Sequence, residues 1–245
     1  MMRMLLVRGM LSGLAAGLLA LVFAYIVGEP LVVSAIDFES AAQVATGETP
    51  EPEVVSRAVQ STIGLATAVV VYAVAFGGLF SLAFAVAYGR VGGFSARATA
   101  AVLALGSYLV VFVVPFLKYP ANPPAVGNAD TINQRSALYL AMVMASVLLA
   151  IAATCLGRRL MSRLGAWNAA LVATAVFVVA VAIVQFLLPT INEIPDAFPA
   201  TVLWEFRIAS LGTQLVMWAT IGLLFGTLVA RAFTHEAAQG MPGRR

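Results

Sequence analysis

Histidine, cysteine and lysine are nearly missing from this chain: His235, Cys155 and Lys118 are the sole examples among 245 residues. One lysine, set between Leu117 and Tyr119, cannot complete a Gly-Lys-Ser/Thr phosphate loop, so the chain has no Walker-type nucleotide site of its own. One histidine excludes a His-Glu-x-x-His zinc motif, and no Gly-x-Ser-x-Gly nucleophile turn occurs. One cysteine forms no internal disulfide. Charge is also scarce. Charged residues make up 10% of the chain and hydrophobic ones 62%, whereas a soluble domain carries roughly a quarter charged residues. There is too little polar surface to cover a water-soluble particle, so lipid is the expected solvent. The 13 arginines form no dense run, which removes support for nucleic-acid binding.

What the chain has in abundance is long apolar runs. A spanning helix needs about 20 mainly apolar residues. Six segments qualify, at about 4–27, 62–88, 97–117, 136–156, 168–188 and 209–230. Arg3 and Arg8 before the first run resemble a signal peptide. That run is too long for one, and the best small-residue site, Val33-Ser34-Ala35, lies well beyond it, so a retained helix is expected. Turn-formers separate the segments, among them Gly89, Gly92, Gly93 and Pro189. The gaps leave no room for a soluble domain. The expectation is one polytopic membrane domain over 1–245, all-α, with six transmembrane helices, arranged as three helical hairpins in one reading.

Charge segregation orients this arrangement. With gaps assigned to alternate sides, Arg3, Arg8, Arg90, Arg97, Arg158, Arg159, Arg163, Arg231, Arg244 and Arg245 share one side with both termini. Arg57, Lys118, Arg135 and Arg207 lie on the other. The positive-inside rule makes the first side cytoplasmic. The acids Glu29, Asp37, Glu39, Glu48, Glu51, Glu53, Asp130, Glu193, Asp196 and Glu205 all fall outside, leaving only Glu236 within.

A threefold pattern runs through the spans. Each outward helix is expected to end at or near a proline (Pro30, Pro115, Pro189), and an arginine precedes each returning one (Arg57, Arg135, Arg207). Helix termination by proline and snorkelling by interfacial arginine account for each case separately. Three related hairpins, with arginines paired to outer acids around a shared mouth, are the alternative. Gly13-Leu14-Ala15-Ala16-Gly17 and Gly222-Leu223-Leu224-Phe225-Gly226 permit close helix approach, within the monomer in preference to a homo-oligomer. Trp167, Trp204 and Tyr119 fall at expected interfaces.

The outer loops hold the candidate chemistry. The first is expected to contain Gly28-Glu29-Pro30 and Asp37 to Glu39, followed by an acidic stretch over 46–53. The second, over 115–127, has Pro115, Pro120, Pro123 and Pro124; the third, over 188–199, has Pro189, Pro195 and Pro199. Rigid loops bearing Asn and Glu suit an entrance that concentrates a cation. The plain alternative is that they only cap the bundle. Glu29, Asn122, Asn192, Glu193 and Asp196 are the candidate metal ligands. Arg57, Arg135 and Arg207, with Pro115, Pro120 and Pro189, are the candidate loop-holding residues. His235 reads as a solvated tail residue, and Met10, Met142, Met144 and Met217 as packing residues. No catalytic or cofactor-binding residue is identified.

Over nearly its whole length the chain resembles the CbtA family of predicted cobalt transporter subunits. The resemblance rests on Gly28-Glu29-Pro30, on Arg57 with Gln60 and Gly64, and on the run 115–127. It rests also on 189–199 continuing into Leu203-Trp204-Glu205-Phe206-Arg207 and Ser210-Leu211-Gly212. It implies a cell (inner or plasma) membrane subunit supplying cobalt, Co2+, for cobalamin biosynthesis, beside a small single-span histidine-rich (CbtB-like) partner. An oxygen-only ligand set discriminates poorly for cobalt, which favours imidazole or mixed nitrogen–oxygen ligation. Selectivity would then come from that partner, with a Glu29/Glu193 pair receiving the ion. A non-conducting membrane scaffold is the rival reading, and an enzyme acting on a lipid or cobalamin intermediate a distant third.

Overall fold

A computed structural model describes residues 2–47, 55–90 and 92–239 of the chain, the last five of these by backbone alone. Glu48, Glu51, Glu53, Arg244 and Arg245, with the side chains of His235 and Glu236, lie outside the described residues. Five long helices carry the fold: α1 (Met2–Thr46), α2 (Arg57–Ala87), α3 (Ala96–Lys118), α4 (Ala129–Leu187) and α5 (Ala200–Gln239). Among the described residues there is no strand. Each helix contains a stretch long and apolar enough to cross a bilayer. Helices suit such sequences because every backbone polar group must be satisfied inside the segment when lipid surrounds it.

Three helices differ in extent from their expected spans. The first does not stop near Pro30. It runs 45 residues, about 67 Å at 1.5 Å per residue, so Glu29 to Glu39 are helical where a loop is expected. A π-helical turn over Ala24–Gly28 immediately precedes Glu29 and Pro30. The wider turn admits an extra residue ahead of the proline, easing its clash with the preceding carbonyls. The expected break between 156 and 168 is equally short. α4 is continuous but for Gly165, whose φ of 74° and ψ of 165° are not helical. There the chain doubles back: a Cβ on Gly157 would lie 3.2 Å from the Ala173 Cβ. α5 starts at Ala200, so Trp204, Glu205 and Arg207 belong to a helix.

The chain divides into two compact units, Met1–Tyr108 with Ile208–Arg245, and Leu109–Arg207. In the first, α1 meets α2 through small residues. Gly9 and Gly13 press on the backbone of Gly77 and Ala73, and a Cβ on Gly17 would sit 3.0 Å from that of Ala73. The expected close approach of Gly13 and Gly17 is thus made within the chain. Gly222 and Gly226 likewise seat Ala104 and Ala100 of α3. Aromatic edges fill the rest, Phe80 and Phe84 packing on Phe225 at centroid distances of 5.3 and 5.0 Å.

In the second unit, the tail of α3 is a π-helical turn over Tyr108–Val113 leading to Pro115. In π register the amide missing from Pro115 is the one that would serve the Val110 carbonyl five residues back. The Ser146 hydroxyl of α4 donates to that carbonyl instead, at 2.6 Å. One turn on, the Gln185 side-chain amide donates to the Val114 carbonyl at 2.9 Å.

Candidate functional site

The segments on either side of α4 form an interlocked cap at one end of the second unit. Loop 119–128 follows α3 and loop 188–199 follows α4. Leu188 is extended, as the residue before Pro189 must be, and this ends α4. The Tyr119 hydroxyl donates to the Pro189 carbonyl at 2.8 Å, and Lys118 Nζ donates to Thr190 Oγ1 at 3.1 Å. Burial raises the Tyr119 phenol above its ordinary pKa, so the hydroxyl remains a donor at all physiological pH.

Two arginines clasp these loops in a crossed manner. Arg135, from the start of α4, donates to the Asn128 carbonyl at 3.0 Å and lies 3.6 Å from Glu193 of the other loop. Arg207, from the start of α5, donates to Asn122 Oδ1 at 2.9 Å and to the Ala121 carbonyl at 3.4 Å. Arg135 therefore ties together the two loops that flank its own helix, and Arg207 ties its helix to the loop between α3 and α4. Glu193 also accepts from the Asn128 amide at 2.7 Å. The Thr131 hydroxyl, shared with the Asn128 carbonyl, the Asn128 amide and Arg135 together hold the Glu193 carboxyl below its ordinary pKa. Gly127 is required here. Its φ is 122°, and a Cβ would collide with the Arg135 guanidinium.

The first unit has a separate arginine pair. Arg57 at the start of α2 donates to Glu29 of α1, forming an ion pair. π-helical turns flank both partners, Ala24–Gly28 before Glu29 and Gln60–Gly64 after Arg57.

The candidate ligands thus fall into two groups. Glu29 stands in the first unit, and Asn122, Asn192, Glu193 and Asp196 in the second. Glu29, Asn122 and Glu193 are each engaged by an arginine, while Asn192 and Asp196 are exposed on loop 188–199. Among the described residues, no three His, Cys, Asp or Glu side chains come together as a set that could hold a metal ion. Of the methionines, Met142 and Met217 are buried, and Met10 and Met144 are exposed. Pro115 is fully buried, and Pro120 opens loop 119–128 beside Tyr119.

Sequence reasoning overlooked Asn128, the hub of the cap. Its amide serves Glu193, its carbonyl serves Arg135, and its side chain caps the Asp130 amide at 3.0 Å. An Asn two residues before Asp130, at the head of a helix, is a capping signature that was available to find it.

A family model for probable cobalt transporter subunits, CbtA, matches residues 2–230, nearly the whole chain. Neither the curated proteins nor the solved structures offer a match to it. The chain belongs to the CbtA family of probable cobalt transporter subunits, and is a transport subunit, not an enzyme.

Proposed function

We propose that this chain is the membrane-embedded subunit of a Co2+ uptake system supplying cobalamin biosynthesis. It crosses the membrane six times with both termini in the cytoplasm and takes its metal selectivity from a small single-span histidine-rich partner. The six crossings are supported by the reversal of α4 at Gly165. A helix of 59 residues would extend about 88 Å if straight, far beyond the roughly 30 Å hydrocarbon core, whereas each arm holds one apolar run of about 20 residues, enough for a single crossing. The orientation is supported by the ten-to-four division of basic residues, counted along the chain.

The observation that carries the division of labour is the clasp. Glu29 and Glu193, the carboxylates best placed to draw a cation, each face an arginine. A dication reaching either must compete with a guanidinium, so these groups attract and pass an ion on; they do not retain it. Imidazole, the ligand that would favour cobalt, then comes from the partner. The same observation favours one rival, a scaffold that organises the partner and conducts nothing.

Accumulation of radioactive cobalt in transport-deficient cells expressing the chain, with and without the partner, separates these readings. Each arm is competed with excess Mg2+ and Ni2+. Uptake that requires both proteins and resists Mg2+ is the expected result. No uptake in either arm, with both proteins verified in the membrane, establishes the scaffold.

A further inference from the structure

The turn at Gly165 carries a basic face that the transport reading counts for orientation and gives no binding role. Arg158, Arg159, Ser162 and Arg163 occupy the last two turns of the first arm of α4. At 3.6 residues per turn they share an arc about 140° wide. Gly157 lies opposite that arc, against Ala169 and Ala173 of the returning arm. The three guanidiniums and the hydroxyl therefore face away from the hairpin, and all four residues are exposed.

Nothing in the surrounding sequence balances this charge. No acid occurs between Asp130 and Glu193, and neither ion pair among the described residues involves these arginines. Arg159 and Arg163 stand one turn apart, a spacing at which like charges repel. The same turn exposes Met161, Leu164 and Trp167, the last at 76% of its surface. Apolar side chains and an indole beside an arginine cluster, at the end of two apolar arms, match the headgroup layer of a bilayer.

We infer that Arg158, Arg159, Ser162 and Arg163 form a binding site for the phosphate of an anionic phospholipid. Guanidinium forks and a hydroxyl donate to the phosphate oxygens, while Met161, Leu164 and Trp167 seat among the adjoining glycerol and acyl groups. The site follows from the reversal of α4 and is independent of the metal carried.

The test is native mass spectrometry of the purified full chain in mild detergent. Palmitoyl-oleoyl phosphatidylglycerol is titrated against the phosphatidylcholine of the same chains. The chain is expected to retain phosphatidylglycerol selectively. Substituting Arg158→Gln, Arg159→Gln and Arg163→Gln together should weaken retention about tenfold or more, and the corresponding lysine substitutions should restore most of it. If the triple variant does not elute as a single species, the Arg159→Gln/Arg163→Gln pair gives the same readout. A control pair, Arg3→Gln with Arg231→Gln, should leave retention unchanged. The inference is overturned by equal retention in the glutamine variants, by equal retention of phosphatidylcholine, or by an equal loss in the control. Displacement of the lipid by millimolar inorganic phosphate would likewise overturn it, since the site would then be a free-anion site.

Discussion

Glu193 and Gly127 show how much of the cap depends on single residues. With its folded pKa lowered by Thr131, Asn128 and Arg135, Glu193 contributes stability that is fully present above the ordinary carboxylate value. That contribution is lost as pH falls through the lowered value. Protection of the Asn128 amide, its exchange rate compared with the intrinsic rate at the same pH, should therefore be high at neutral pH and fall only in acid. In Glu193→Gln it should already be low at neutral pH and change little on acidification; an unchanged protection profile would show that the carboxylate does not hold the loop. Gly127→Ala places a methyl against the Arg135 guanidinium at a positive φ. We expect it to lower the thermal stability of the purified protein by roughly 1–3 kcal/mol. At this scale the sequence named Arg135, Arg207 and Asn122 from their chemistry. It could not name their partners, because an arginine's donors are satisfied equally well by any nearby carbonyl or carboxylate.

Among the elements, the π-helical turns altered what the prolines do. A proline is expected to stop a helix because the rule assumes α register, in which its ring meets a carbonyl four residues back. A π-turn shifts that register without leaving a trace in apolar periodicity, so passage through Pro30 was not legible. Passage past Pro115 needs a substitute donor for Val110, and Ser146 supplies it. Ser146→Ala is expected to cost about 0.5–2 kcal/mol, the range for a hydrogen bond between membrane helices. Thermal unfolding in detergent would show it, and an unchanged midpoint would mean that another donor serves Val110. The contact between α1 and α2 is more demanding. Gly13→Leu forces a side chain into the Ala73 and Val74 backbone. Since overpacking costs roughly 1–3 kcal/mol where some relaxation is available, and here backbone faces backbone, we expect a collapse in the yield of folded protein. Gly13 and Gly17 were legible as a close-packing pair, and Gly9, one turn earlier, joins them in the structure. Their partner, α2, was not, because a stripe of glycines fits any smooth helix face.

For the molecule as a whole, the proposed six crossings rest on the reversal at Gly165, and the sides on which the two ends of its returning arm lie test them. In a Cys155→Ser background, Asn192→Cys should react with an impermeant maleimide added to intact cells. Ser162→Cys should react only after the membrane is opened. Reaction of both in intact cells would place them on one side and remove the sixth crossing. The sequence by itself determined that this chain lives in lipid, where its apolar segments lie, and which residues sit at their ends. Those properties are local, since a run of apolar residues stays apolar whatever it touches. Only the tertiary structure decided that loops 119–128 and 188–199 are cross-tied, through contacts such as Asn128 to Glu193 and Tyr119 to Pro189, 65 and 70 residues apart in the chain. It alone decided too that the carboxylates expected to wait for a metal already face arginines. Pairings at such separations depend on where helices bend and how closely they pack, and those are set by π-turns, one kinked glycine and small-residue contacts that composition does not encode.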